Sequence, residues 1–136
     1  QDSGYGTGDR IGGFDFVVVG GGIAGMCAAV SAARLGSKVA LINDRPVLGG
    51  NNSAEVRVHL GGHIELGPNK GLGRMIREFG HTKSGNAQPA SNYEDEKKQQ
   101  FIDAEENVTL YAPYRAVDVR MEGKKIEAVL IRHIET

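Results

Sequence analysis

The stretch Gly20-Gly21-Gly22-Ile23-Ala24-Gly25 decides the fold because of the segments on either side of it. Before it, residues 14–19 form an apolar, β-branched run that is typical of a buried parallel strand. After it, the Ala-rich residues 26–35 predict a helix that ends at Gly36, and residues 38–42 predict a second strand. The glycines therefore form the turn of a β-α-β unit of about 30 residues, which is the context of a dinucleotide-binding fingerprint.

The positions of this fingerprint have different physical roles at a diphosphate. Gly20 allows a tight turn out of the strand, and Gly22 has no side chain, so the backbone can approach a pyrophosphate. Gly25 lets the helix pack close to the strand. The first helical turn, with Ile23 and Ala24, offers unpaired N–H groups and the positive end of the helix dipole. A glycine-rich turn that binds no ligand is the alternative.

The end of the second strand is where a carboxylate should bind the adenosine ribose, about 20 residues after the turn. Asn43 and Asp44 occupy this place, and Arg45 follows them. We expect Asp44 to accept both ribose hydroxyls, or Asn43 to bind them more weakly, because an amide brings no charge to the hydrogen bond. A turn in which Asp44 pairs with Arg45 is the alternative. Arg45 also leaves room for a 2′-phosphate and therefore for NADP.

Residues 45–53, Arg-Pro-Val-Leu-Gly-Gly-Asn-Asn-Ser, resemble the segment after the second strand in FAD-dependent oxidoreductases of the glutathione-reductase structural class. The Gly-Gly-Asn sequence is most similar to that of fumarate-reductase and succinate-dehydrogenase flavoproteins. Residues 48–58, with Gly61-Gly62, resemble a bacterial group of FAD-dependent oxidoreductases. The resemblance extends from Phe14 to the end of the chain, and it is specific for FAD rather than for a substrate.

The resemblance implies FAD as cofactor and assigns places in its site. It places Asn43 at the strand-end acid, where the family usually has Glu, and it implies that the backbone of Val117 contacts the adenine. The residues implied at the diphosphate and ribityl side are Gly20, Gly21, Gly22, Ile23, Ala24, Gly25, Gly49, Gly50, Asn51 and Ser53.

The remaining pattern predicts an α/β fold, namely a Rossmann-like FAD/NAD(P)-binding three-layer fold whose parallel sheet carries an added β-hairpin or meander. Residues 55–60 alternate like a short strand, and residues 71–79 predict a helix closed by Gly80. Residues 93–106 predict a charged, mostly solvated helix capped by Ser91 or Asn92, with Lys97 and Lys98 at the surface. Residues 108–111 predict a strand, and residues 115–134 predict the hairpin.

Composition excludes several classes of function. The 136 residues suffice for one domain, and a net charge of −1 without a basic tract gives no sign of nucleic-acid binding. No apolar run approaches the roughly 20 residues of a membrane span. The single Cys27 is expected to pack against the sheet and does not identify a compartment, so an exported protein and a cytoplasmic one both remain open. Residues 1–13 are expected to be a linker or a trimmed terminus.

His59, His63 and Glu65 lie close enough in sequence to suggest a metal site, but Gly61-Gly62 between the histidines argues against a helical zinc motif. We therefore predict no metal.

The resembled family carries a second motif, an Ala-Thr-Gly or Cys-Thr-Gly strand end, which does not occur in the sequence up to Thr136. We expect residues 14–136 to be the N-terminal part of an FAD-binding domain that lacks its substrate domain and is inactive alone. The sheet edge left open by this truncation is expected to favour self-association. The competing functions are an NAD(P)-dependent dehydrogenase domain and a non-catalytic nucleotide-binding module.

Overall fold

A computed structural model describes residues 8–62, 65–71, 73–80, 83 and 85–134 of the chain. The predicted β-α-β unit is confirmed as β2, α1 and β3. The strands and helices are, in chain order, β1 Asp9–Gly12, β2 Phe16–Val19, α1 Ile23–Arg34, β3 Val39–Ile42, α2 Arg74–Glu78, α3 Asp95–Asp103, β4 Val108–Tyr111, β5 Tyr114–Glu122 and β6 Lys125–His133.

The strands form two three-stranded sheets. One is parallel, in the order β2-β3-β4, and the other is antiparallel, in the order β1-β6-β5. In the parallel sheet β3 is central, with Val39 opposite both Phe16 and Val108. Because the carboxyl ends of parallel strands meet at one edge, the residues after β2 and β3 come together there.

The alternation of side chains along β3 builds the two cores. All four of its residues are buried. Val39 and Leu41 pack with the helices on one face, and Ala40 and Ile42 pack with the antiparallel sheet on the other. The molecule therefore has three layers, namely helices, a parallel sheet and an antiparallel sheet, which confirms the predicted fold class.

Residues 8–13 are the described part of the segment that we expected to be a linker or a trimmed terminus, and they are not a linker. Residues Asp9–Gly12 form β1, which pairs antiparallel with β6. The side chain of Ile11 is buried against the antiparallel sheet and the parallel sheet beneath it. A single apolar residue between glycines was too weak a pattern to indicate a strand. The strand forms because its main chain pairs with β6.

Two local predictions are also wrong. Residues 55–60 form no strand, because Arg57 has φ +64° and its N–H bonds to the Ser53 carbonyl in a tight turn. The helix predicted over residues 93–106 is the shorter α3, and neither Ser91 nor Asn92 caps it. Glu94 precedes it in a left-handed conformation without a side-chain cap, because residues Ala90–Tyr93 form a separate 3₁₀ turn.

Candidate dinucleotide-binding site

The glycine turn joins the end of β2 to the start of α1. Gly20 has φ +117°, a conformation that glycine adopts without strain, and its N–H donates to the Ile42 carbonyl at 2.7 Å. Gly22 precedes the first helical residue, and no side chain caps the helix there. The first N–H groups of α1 have no partner within the helix, so they are available to a ligand.

The space around two glycines shows which of them the protein itself requires. A Cβ atom on Gly25 would lie 1.7 Å from the Gly20 carbonyl oxygen, so any side chain there would break the turn. A Cβ atom on Gly22 would meet only the Gly50 Cα, at 3.8 Å, which is ordinary contact. The packing of the fold therefore requires a bare residue at position 25 but not at position 22.

A second glycine segment, Gly49-Gly50, lies directly against this turn. The Gly49 N–H donates to the Gly21 carbonyl at 2.8 Å, and Gly49 and Gly22 form an isolated parallel bridge. Ser53 is buried, and its hydroxyl donates to the Gly50 carbonyl at 2.7 Å. Ser53 therefore holds the shape of the loop formed by residues 49–53.

The turn and this loop border one open cleft of about 390 Å³. The cleft brings together five of the residues predicted at the diphosphate and ribityl side. Its lining consists of Gly22, Ile23, Ala24, Gly49, Asn51, Asn52, Val58, His59 and Leu60.

Asn43, at the end of β3, is buried and has a structural role. Its side-chain amide donates to the carbonyl oxygens of Arg45 at 3.0 Å and Val47 at 2.9 Å. Its other side-chain atoms face the turn, since a Cβ on Gly21 would lie 2.8 Å from the Asn43 Oδ1. Both amide protons of Asn43 therefore make hydrogen bonds to the main chain that follows β3.

Asp44 and Arg45 lie beside it at the surface. Arg45 donates two hydrogen bonds to the Glu55 carboxylate, at 3.1 and 2.8 Å. Through this hydrogen bond Glu55 keeps the pKa of Arg45 above its usual value, and Arg45 keeps the pKa of Glu55 below its own. Asp44 is exposed, and its carboxylate accepts no hydrogen bond from the part of the chain that the structure describes. Arg45 therefore pairs with Glu55 and not with Asp44, as the alternative interpretation had it, and this pair occupies the guanidinium considered for a 2′-phosphate.

Val117 lies apart from the glycine cleft. It is the extra residue of a β-bulge in β5, because β6 pairs Ile131 with Ala116 and Leu130 with Asp118. Such a residue is left outside the regular ladder, which frees its backbone for other contacts. Val117 lines a second groove of about 550 Å³ next to β2.

Lys98 is a residue that the sequence interpretation missed. We predicted it at the solvated surface with Lys97, but its side chain is 2% exposed. Its ammonium donates to the carbonyls of Asn52, at 2.5 Å, and Tyr93. The spacing was the available signal, since Lys98 precedes the buried Phe101 and Ile102 by three and four residues and so shares their helix face.

Within the described ranges, no group of three or more His, Cys, Asp or Glu residues is arranged to hold a metal ion. His63, which we considered together with His59, lies outside those ranges. No helix in the described part of the chain is long and apolar enough to cross a membrane.

A parallel β-α-β unit whose glycine turn opens into a cleft at a helix N-terminus defines a dinucleotide-binding protein of the Rossmann-like class. The chain belongs to the FAD dependent oxidoreductase family, whose sequence profile matches residues 15–135. FAD is accordingly its cofactor.

The chain is similar to parts of longer proteins. The soluble pyridine nucleotide transhydrogenase of Ectopseudomonas mendocina (strain ymp) is 38% identical over 66 residues, which make up 48% of this chain and 12% of the transhydrogenase. Aquifex aeolicus GidA superposes with a TM-score of 0.51 at 26% identity, over 87% of this chain and 22% of GidA. Thermovibrio ammonificans THI4 gives a TM-score of 0.52 at 20% identity, over 88% of this chain and 48% of THI4. The chain thus spans less than half of each relative.

Proposed function

We propose that this chain holds the ADP part of FAD in a flavin-dependent oxidoreductase, with the diphosphate at the turn of residues 20–25 and the loop of residues 49–53. Ile23 and Ala24, at the start of α1, line the cleft between these two segments, and the N-terminus of a helix favours an anion. Asn51 lines the same cleft at its exposed rim, on the side assigned to the ribityl chain.

The observation that carries this proposal is that packing does not require a bare residue at Gly22. The protein packs nothing closer than Gly50 Cα against this position, so the fold would accept a small side chain there. The neighbouring Gly25 is required by packing alone. A bare residue that packing does not require, placed at a helix N-terminus inside a cleft, fits a ligand group that approaches the backbone.

For the ribose we propose Asp44. Asn43 already donates both of its amide protons to main-chain carbonyls and is buried, which leaves little of it for a ligand. The exposed Asp44 carboxylate follows directly and is able to accept two hydroxyl hydrogen bonds. The Val117 backbone at the bulge of β5 is proposed to contact the adenine.

FAD supplies hydride acceptance and onward electron transfer when it is bound. The described residues supply binding and orientation. Gly22 and Gly49 leave room for the diphosphate, the start of α1 stabilises its charge, and Asp44 fixes the ribose. The whole protein's oxidoreductase activity and its small-molecule substrate belong to this proposal.

The test compares Gly22→Val with Gly67→Val in the intact protein. A Cβ at Gly67 would meet nothing within 4 Å and one at Gly22 would meet a single atom at 3.8 Å, so neither position is closed by packing. Gly67 lies outside the cleft and is therefore the control. We expect the Gly22 variant to be purified folded and colourless and the Gly67 variant to be yellow with stoichiometric flavin. Stoichiometric flavin in the Gly22 variant would refute the placement of the diphosphate. A colourless wild-type protein that binds NAD(P)H instead would favour the dehydrogenase.

A further inference from the structure

A buried lysine lies behind the loop of residues 49–53. Lys98 is 2% exposed, and its ammonium donates to the main-chain carbonyls of Asn52 and Tyr93. Burying an ammonium is costly, and an apolar side chain would fill the same space on α3 without that cost. We therefore expect Lys98 to have a role other than filling space in the core.

The stem of Lys98 shapes the loop at its glycine. A Cβ atom on Gly49 would lie 2.9 Å from the Lys98 Cδ and 3.1 Å from its Cε, and Gly49 has φ +106°. The loop thus lies flat on the lysine stem, in a backbone conformation that favours glycine. Gly49 in turn donates to the Gly21 carbonyl at 2.8 Å. Lys98 is therefore one contact away from the diphosphate turn.

The segment around the start of α3 also holds the residues that directly follow this loop, at two points. The Asp95 carboxylate accepts the Ala54 N–H at 3.0 Å, and the Tyr93 hydroxyl donates to the Arg57 carbonyl at 2.9 Å. Burial lowers the pKa of the Lys98 ammonium, while the charges of Asp95 and Glu94 raise it. Of these contacts, the one made by Lys98 lies closest to the cleft, because Asn52 and Gly49 both line it.

We propose that Lys98 is a positioning residue for the diphosphate: it fixes the loop of residues 49–53 against the turn of residues 20–25 and places a positive charge behind the bound phosphates. This inference rests on the proposed FAD site. Lys98 lies on α3, far along the chain from the turn. It touches no ligand itself and acts through the main chain of the loop.

The test uses the intact protein after removal of its flavin. Lys98→Met keeps the length of the stem but removes the charge and both hydrogen bonds. Lys97→Met is the matched control, because the neighbouring Lys97 is exposed and pairs with Glu94 at 2.9 Å. Lys98→Gln, which keeps N–H donors without the charge, replaces the Met variant if that protein is not recovered folded. The Kd values of FAD and of ADP are measured by calorimetry, and the midpoint of thermal unfolding is measured without ligand.

We expect Lys98→Met to weaken FAD and ADP by the same factor, at least about tenfold, because hydrogen bonds to a charged group are lost behind the diphosphate. Lys98→Gln should fall between it and the wild type, and Lys97→Met should change neither Kd. A lower unfolding midpoint with unchanged Kd values would show a purely structural role and overturn the proposal. A weaker affinity for FAD with an unchanged affinity for ADP would also overturn the proposal, because the effect would then lie on the flavin part of the cofactor. Retention of FAD by Gly22→Val would instead overturn the proposed site itself.

Discussion

Replacing Asn43 by the nearly isosteric aspartate tests whether this position binds a ligand or holds the chain. The Asn43 amide donates to the carbonyls of Arg45 and Val47 at 3.0 and 2.9 Å. In Asn43→Asp both donors become acceptors, so a buried carboxylate faces two carbonyl oxygens. Each buried acceptor left without its donor costs roughly 1–3 kcal/mol, so the flavin-free protein should lose about 2–6 kcal/mol.

This loss should depend on pH with a defined sign. The introduced carboxyl is buried beside carbonyl oxygens, which raises its pKa in the folded state above the unfolded value of roughly 4. The folded variant then binds its proton more tightly than the unfolded chain does, so its stability should fall as pH rises above roughly 4 and recover as pH is lowered.

Thermal unfolding of the flavin-free intact protein, followed by circular dichroism from pH 4 to pH 8, measures the effect. Asn69→Asp is the control, because Asn69 is exposed and undergoes the same chemical change. We expect the midpoint of the Asn43 variant to fall by several degrees at neutral pH. A midpoint within about 1 °C of the control at every pH would refute the reasoning and return Asn43 to the candidates for ribose binding.

Two further predictions concern the exposed residues Asp44 and Phe16. Asp44→Ala should weaken FAD by about 1.5–3 kcal/mol in calorimetric titration while leaving the unfolding midpoint of the flavin-free protein unchanged; an unchanged Kd would remove Asp44 from the ribose site. Residues 1–136 expressed alone should self-associate through the free edge of β2, where Phe16 is 54% exposed. In sedimentation velocity, Phe16→Lys should reduce this association and the control Leu35→Lys, at a residue 88% exposed at the end of α1, should not. A monomeric wild-type chain would contradict this expectation.

The fold was predictable because its signals are local and repeated. A β-branched run, a glycine turn and an Ala-rich helix fix the β-α-β unit, and the alternation in residues 115–134 fixes the hairpin. β1 was not predictable, since its four residues contain one buried side chain and depend on pairing with β6. The alternation of residues 55–60 was misleading for the opposite reason, because hydrogen bonds within a tight turn at Ser53 outweigh the pattern.

The candidate site was predictable where backbone geometry defines it and not where side chains choose partners. The fingerprint located the turn, the family resemblance located the loop, and the structure brings both to one cleft. The sequence could not show that Arg45 pairs with Glu55, ten residues away, or that the Asn43 amide points at main-chain carbonyls. Lys98 was missed because a lysine in a charged segment is usually solvated. Here it is buried, and two main-chain carbonyls accept hydrogen bonds from its ammonium group.

The glycines of the fingerprint separate the requirements of folding from those of binding. At Gly25 a side chain would collide with the Gly20 carbonyl, and at Gly21 it would collide with Asn43, so both are demanded by the protein with or without a cofactor. At Gly22 the nearest atom would lie 3.8 Å from a Cβ, so the packing of the protein does not require a bare residue there. Loss of flavin after a change at Gly25 would therefore say nothing about phosphate contact. Loss after a change at Gly22, in a protein that keeps its unfolding midpoint, reports the ligand directly.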